Sequence, residues 1–183
     1  MPVTPEDIER RVSDAVFGNK LITNVFRGHV VEAIVAEALE PDWTWCSHDY
    51  ASCDFDRDDG ARLEVKQSAA LQSWSADPPE KMSASFDIAP RKGYWDGLNW
   101  VPEPGRRAHI YVFALHKTVD ETADHRDPEQ WSFYVVRADD LPNGKTISLG
   151  PLGRLTEPCN FAELHEQVAK AARGCGFAER RSS

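Results

Sequence analysis

The sequence predicts an α/β domain with a mixed central β-sheet flanked by helices. Two amphipathic helical segments open the chain, strand-like segments follow, and a capped helical segment closes it, an order typical of this fold class. Hydrophobic residues make up 41% of the chain, which is enough for a buried core, and a length of 183 residues favours a single domain over residues 1–183.

The first two helices have recognisable ends. Thr4 is placed to cap the first helix, Pro5 suits its first position, and Gly18 ends it. The second helix is predicted from about residue 24 to 39, before Pro41. Each helix carries an apolar stripe (Ile8, Val12, Ala15 and Val16 in the first; Val30, Val31, Ile34, Val35 and Ala38 in the second).

A predicted hairpin follows the second helix. Residues 43–47 and 51–55 are short extended segments, and Asp58-Asp59-Gly60 is a hairpin turn signal. Residues 62–67 then alternate between apolar and polar side chains, as in a half-buried strand. Leu63 and Val65 therefore face one side of the sheet, and Arg62, Glu64 and Lys66 face the other.

The middle of the chain is less regular. Residues 69–108 contain many prolines and glycines, which predict a long loop region interrupted by a short strand at 83–88. Residues 109–115 and 131–136 are rich in β-branched and aromatic residues, and both are predicted to be central strands.

The last helix begins with a capping box. Asn160 and Glu163 have the spacing that satisfies two backbone donors reciprocally. Gly174 is expected to end this helix, and residues 178–183 are expected to form a disordered tail. Four apolar residues mark its inner face (Phe161, Leu164, Val168 and Ala171).

Composition argues against several classes of protein. The formal net charge of −9 opposes a protein that coats nucleic acid through bulk charge, although a local basic groove is compatible with an acidic body. There is no bilayer-spanning apolar stretch, signal peptide or glycine-rich phosphate loop, so we expect a cytoplasmic protein without a membrane segment or nucleotide cofactor. The cysteines lack metal-binding spacing and are expected to be reduced (Cys46, Cys53, Cys159 and Cys175).

One group of residues has the composition and spacing of a catalytic site. Glu64 and Lys66 project from the same face of one strand, and strand pairing across the turn is expected to bring Asp54 close to Glu64. Two carboxylates at such a corner suit Mg²⁺, and the main-chain carbonyl of Val65 would add a ligand. Lys66 would orient or deprotonate a water, or offset charge on a phosphate. The set is sufficient in principle for hydrolysis of a phosphodiester.

With these residues the chain resembles the PD-(D/E)XK nuclease superfamily, which has the restriction-endonuclease-like fold. The matching positions are Asp54, the triplet 64–66 and Glu32 on the preceding helix. More narrowly, residues 63–74 and 85–88 are similar to a group of bacterial restriction-endonuclease-like proteins, and the resemblance covers roughly residues 24 to 137.

The resemblance implies a Mg²⁺-dependent endodeoxyribonuclease, with Mn²⁺ as an alternative metal, that acts on DNA in restriction or repair. Asp54 and Glu64 would bind the metal, Lys66 would activate the water, and Glu32 would support the site. Many proteins with this fold act as dimers, so a homodimer in which each site cuts one strand is a further expectation.

Several alternatives stay open in the sequence. Cys53 stands where the superfamily pattern has proline, and Asp56 has the same strand parity as Asp54 and competes for the metal role. Asp49 is far from the strand at 62–67 that carries Glu64, and the acids at 58–59 belong to the turn. Glu64 and Lys66 also fit an ion pair on a solvated strand. A non-catalytic module that binds nucleic acid or protein, and a nuclease that cuts RNA, are therefore the competing functions.

Further residues are candidates for contacts with nucleic acid. Gln67, Gln72 and Trp74 follow the triplet directly and are predicted to touch a phosphate or stack on a base. Arg91 and Lys92 lie in the irregular region and are predicted to face DNA, together with other basic residues there (Lys81, Arg106 and Arg107). The histidines show no paired spacing and are predicted to be structural or surface groups (His29, His48, His109, His116, His125 and His165).

Overall fold

The computed structural model describes residues 2–46, 52–74, 80, 83–96, 98–173 and 175. Four helices lie in these ranges: α1 (Pro5–Phe17), α2 (Asn24–Leu39), α3 (Leu149–Leu152) and α4 (Phe161–Arg173). The strands are β1 (Thr44–Trp45), β2 (Phe55–Asp56), β3 (Arg62–Ala69), β4 (Ser85–Asp87), β5 (Tyr94–Asp96), β6 (Asn99–Val101), β7 (Ile110–His116), β8 (Trp131–Arg137) and β9 (Thr146–Ser148).

The main sheet is mixed, with the strand order β1-β2-β3-β7-β8. β3 and β7 run parallel, whereas the other neighbouring pairs are antiparallel. β4 pairs with β9 and β5 pairs with β6 in two separate two-stranded sheets. The predicted class, an α/β protein with a mixed central sheet and flanking helices, is therefore confirmed.

The two faces of the sheet are covered by different elements. Leu63 and Val65 of β3 lie in a core that includes residues of α2 and α4, because their side chains point to the same face. On the opposite face, Tyr111 and Phe113 of β7 pack in a second core with β4, β9 and α3. Glu64 and Lys66 share the parity of that second face, so they project toward the β4 side of the sheet.

The predicted helix ends agree with the structure. Thr4 and Asp7 form a capping box at the start of α1, and α2 spans the predicted residues. The apolar stripe of α2 packs in the core, with Val31, Ile34 and Val35 buried and Val30 and Ala38 partly buried. None of the described residues of α1 is buried. At the start of α4, the Asn160 N–H donates to Glu163 Oε2 and the Glu163 N–H donates to Asn160 Oδ1, both at 3.1 Å.

Two predictions about the strands were wrong. β8 lies at the edge of the main sheet, and within the described part of the chain its outer side makes one isolated bridge, between Phe133 and Cys159. The predicted loop between 69 and 108 contains the β5–β6 hairpin, which alternation does not reveal because its strands have three residues each. Gly174 and residues 178–183 lie outside the described residues.

In the described part of the chain, no helix has the length and apolar character needed to cross a bilayer. All four cysteines are free thiols, as expected (Cys46, Cys53, Cys159 and Cys175).

A buried histidine pair lies where residues 20–22, just before α2, meet β7 and β8. The rings of His116 and His125 are fully buried and 4.9 Å apart, edge to face. Nδ1 of His125 accepts a hydrogen bond from the Ile22 N–H at 3.0 Å. Burial, reinforced by His116 and Arg27, lowers the pKa of His125 from 6.5 to about 4. The folded protein therefore holds this imidazole neutral where the unfolded chain would protonate it.

We expect this histidine to weaken the protein in acid. Its contribution to stability is complete above pH 6.5, is lost as the pH falls toward 4, and amounts to about 3 kcal/mol at most. His125→Asn keeps an acceptor for Ile22 but does not titrate, so the loss of unfolding free energy between about pH 7 and about pH 4.5 should be smaller than in the wild type. Denaturant unfolding at the two pH values measures this. An equal loss in both proteins would contradict it.

Candidate functional site

The candidate site is built where β2 turns back onto β3. The Gly60 N–H donates to the Arg57 carbonyl at 2.8 Å, and Gly60 has φ of 86°, a conformation that favours glycine. The turn sets the register in which Phe55 faces Leu63. The Asp54 N–H, just before β2, then donates to the Leu63 carbonyl at 3.1 Å. Continuing this register places Asp54 beside Glu64.

Asp54 is a partly buried acid that hydrogen-bonds to β3. Its Oδ2 accepts a hydrogen bond from the Val65 N–H at 2.7 Å. Burial first, and then the charges of Glu64 and Glu32, raise the pKa of Asp54 from 3.8 to about 7, against the opposing effects of the Val65 N–H and Lys66. A cation beside this carboxyl group would therefore favour its charged form.

Glu64 and Lys66 form a salt bridge on the same face of β3. Their side chains are only 21% and 22% exposed, so this pair differs from the fully solvated pair of the alternative interpretation. Tyr111 lies directly opposite Glu64 on β7. Burial, followed by the charge of Glu64, raises the pKa of Tyr111 to about 12, so its hydroxyl stays a hydrogen-bond donor.

A cleft of about 450 Å³ opens above these residues. Three carboxylates and five cationic side chains line it, so its charge is positive in a chain whose net charge is −9. The carboxylates are Asp54, Glu64 and Asp87, and the cations are Lys66, Arg91, Lys92, Arg106 and Arg107. The structure thus brings Arg91 and Lys92 to the same cleft as the triplet, whereas Lys81 lies outside the described residues.

Asp87 is a cleft residue that sequence reasoning missed. It ends β4, and its carboxylate accepts hydrogen bonds from the Ala89 N–H at 2.9 Å and from Arg91 at 2.8 Å. Burial by itself would raise the pKa of Asp87, but these hydrogen bonds and the charge of Lys66 outweigh it and lower the pKa. The signal present in the sequence was an acidic residue directly after Phe86 in the predicted strand, four residues before the basic pair Arg91-Lys92.

The competing acids have other surroundings. Asp56 pairs with Arg62 in the strand register and does not line the cleft. Asp59 accepts hydrogen bonds from the Arg57 guanidinium within the turn, and Asp49 lies outside the described residues. Since N–H and C=O groups of one strand residue point to the same edge, the Val65 carbonyl points toward Asp54, as its N–H does.

Glu32 lies beside the site without lining the cleft. Its Oε2 accepts a hydrogen bond from Trp45 Nε1 at 3.1 Å and is 3.6 Å from His29 Nδ1. Its charge contributes to the raised pKa of Asp54. The structure therefore places Glu32 close enough to influence Asp54 electrostatically.

Gln67 and Gln72 point away from the cleft. Gln67 has the opposite parity to Glu64 and Lys66 on β3, and both glutamine side chains accept hydrogen bonds from Arg27, at 2.7 and 2.9 Å. Trp74 is 71% exposed and is not among the residues that line the cleft. These three residues are thus separated from the triplet that they follow in sequence.

The Arg27 guanidinium is a buried polar centre. It is 2% exposed, donates to Asn24, Gln67 and Gln72, and burial lowers its pKa to about 10. Arg27→Met should lower the unfolding free energy by about 2–5 kcal/mol, because three amide oxygens lose their donor. Denaturant unfolding measures this. Arg10→Met is the matched control, since Arg10 is 69% exposed in its pair with Asp7. Equal effects of the two substitutions would contradict the assignment.

The donor set limits the kind of metal that fits. Among the described residues, no group of three or more His, Cys, Asp or Glu side chains is arranged to hold an ion. Asp54 and Glu64 instead offer two neighbouring carboxylates, and Mg²⁺ commonly binds through one or two carboxylates while keeping several waters. The charges of Glu64 and Glu32 contribute to the raised pKa of Asp54, and a cation at this corner would offset them. The residues therefore fit a hydrated hard cation.

The chain matches no protein-family model and no curated protein. Among solved structures, it is similar to a bacterial homing endonuclease, I-Ssp6803I, with 19% sequence identity and a TM-score of 0.38, over 69% of this chain and 77% of that chain.

Proposed function

We propose that the protein is a metal-dependent nuclease with a restriction-endonuclease-like core that hydrolyses phosphodiester bonds of DNA. One observation carries the proposal: Asp54, Glu64 and Lys66 line a single cleft in which cations outnumber carboxylates. A site for a polyanionic substrate needs the cations, and the hydrolysis needs the acidic corner.

Asp54 and Glu64 would hold Mg²⁺, or Mn²⁺ in its place, with the Val65 carbonyl as a further oxygen ligand. When bound, such an ion supplies charge stabilisation on the phosphate and lowers the pKa of a water. The chain's own contribution is to keep Asp54 oriented through the Val65 N–H. Glu32 adds negative charge that favours cation binding by Asp54.

Lys66 would act on the substrate side of the corner. Its ammonium group pairs with Glu64, and a phosphate entering the cleft would compete for the same ammonium. Lys66 would then orient the attacking water and offset the charge that develops on the phosphate. The partial burial of Lys66 strengthens this interaction, because charges attract more strongly where water is excluded.

The basic wall would bind the DNA backbone. Arg91, Lys92, Arg106 and Arg107 lie along the cleft, so binding should weaken with added salt. We further propose a cytoplasmic role in restriction or repair, with a homodimer presenting two clefts to the two strands. The chemistry of the corner is the same for RNA, and the substrate test below separates the two.

The test is incubation of purified protein with plasmid, linear duplex and single-stranded DNA and with RNA, in Mg²⁺, Mn²⁺ or EDTA. We expect DNA cleavage with either metal and none in EDTA. Binding of DNA without cleavage in either metal would support the second candidate, a non-catalytic binding module. The Glu64–Lys66 salt bridge favours that candidate, since each charge is already paired. Cleavage of RNA alone would overturn the choice of DNA.

A further inference from the structure

The β5–β6 hairpin forms one wall of the cleft and presents two tryptophans there. Trp95 and Trp100 lie directly opposite each other in the hairpin register, with ring centroids 5.5 Å apart and edge to face. Both line the cleft and remain 43% and 48% exposed, whereas Trp131 in the core is 2% exposed. Large aromatic surface is thus kept at the cleft and out of the core.

The hairpin is fastened at its base. Arg91 and Gly105 exchange two backbone hydrogen bonds of 2.8 and 2.9 Å, which close the segment that contains both strands. Gly93 permits the close approach of Trp100, because a Cβ at this position would lie 2.7 Å from the Trp100 ring. The Arg107 guanidinium stacks over the Tyr94 ring at 3.6 Å. These contacts hold the aromatic wall against the basic residues of the cleft.

The chemistry of this wall matches an unpaired nucleotide. Cations beside it suit phosphates, and exposed indole faces stack on the flat faces of bases. In an intact duplex those faces are covered by neighbouring base pairs, so a tryptophan reaches them only where bases are unpaired or displaced. An apolar protein partner would not need the four arginine and lysine side chains that accompany the rings.

From this geometry we infer that the β5–β6 hairpin stacks on unpaired bases and directs the cleft to single-stranded segments of DNA. The inference rests on the proposed function, since it names the substrate form of the same cleft. Trp95 and Trp100 are binding residues in this view, and hydrolysis stays with the corner formed by Asp54, Glu64 and Lys66.

Binding in EDTA tests the inference without hydrolysis. A labelled single strand should bind at least about tenfold more tightly than the duplex of the same sequence, and Trp95→Ala/Trp100→Ala should remove most of that preference. Phenylalanine at both positions should retain it, because the rings remain. Trp74→Ala is the matched control, an exposed tryptophan outside the cleft, and should leave the preference unchanged.

The salt dependence of binding reports whether the variant hairpin keeps its fold. If only stacking is lost, the slope of affinity against salt stays as in the wild type, because the phosphate contacts remain. Equal or tighter binding of duplex, loss of preference in Trp74→Ala, or tighter binding of single-stranded RNA would overturn the inference. If the protein prefers duplex DNA but still cleaves it in a Lys66-dependent reaction, the inference about the hairpin is wrong and the proposed function stands. Failure to bind any oligonucleotide would overturn both.

Discussion

Replacing Lys66 with alanine is expected to lower the rate of DNA hydrolysis by about 10³-fold while leaving the fold intact. The substitution removes the ammonium that pairs with Glu64 and would stabilise the phosphate as charge develops. Because this interaction strengthens in the transition state, the loss should fall on kcat more than on KM. Single-turnover cleavage with excess protein measures the chemical step directly.

Lys92→Ala is the matched control for that result. Lys92 also lines the cleft, but it belongs to the segment between β4 and β5 and would contact the backbone of the DNA. Its loss should weaken binding and reduce the salt dependence, with little change in the rate of bound substrate. Equal losses of single-turnover rate in both variants would show that Lys66 contributes only charge. Unchanged cleavage by Lys66→Ala would remove it from the mechanism.

Replacing Asp54 with asparagine is expected to abolish hydrolysis and to stabilise the metal-free protein. Folding raises the pKa of Asp54 from 3.8 to about 7, so the contribution of this group to stability is complete below pH 3.8 and is lost as the pH rises through 7. Asparagine keeps an acceptor for the Val65 N–H and carries no charge. The variant should therefore gain about 2–4 kcal/mol near pH 8 and little near pH 4.

Metal binding provides a second test of Asp54→Asn. Mg²⁺ should raise the melting temperature of the wild type, because it binds the folded corner, and should not raise that of Asp54→Asn. Asp56→Asn is the matched control: Asp56 has the same strand parity but pairs with Arg62 and does not line the cleft. A loss of the metal effect in Asp56→Asn, with Asp54→Asn unaffected, would reverse the assignment between these two acids.

Local patterns were sufficient to predict the elements around the site. The alternation of β3 placed Glu64 and Lys66 on one face, and the turn signal at 58–60 predicted the return of β2 onto β3. The ends of α2 followed from an apolar stripe and from Pro41. These features depend on residues close together in sequence, so their periodicity and turn chemistry are visible without the fold.

The remainder of the cleft could not be predicted in this way. Tyr111 lies opposite Glu64 through the parallel pairing of β3 with β7. Asp87 at the end of β4 lines the same cleft, although β4 belongs to a separate sheet. Trp95 and Trp100 lie on strands too short for a clear alternation. The cleft as a whole joins segments far apart in the chain, namely the residues just before β2 together with β3, β4, the β5–β6 hairpin and β7.

Gln67 marks the boundary between what the sequence and the fold determine. Its neighbours in sequence suggested a role at the site, but its parity on β3 turns it toward Arg27 on α2. The sequence by itself determined the class of fold, the limits of α2 and the pairing of acid and lysine on β3. Only the tertiary structure decided which residues share the cleft, because long-range strand pairing brings distant charges and rings together.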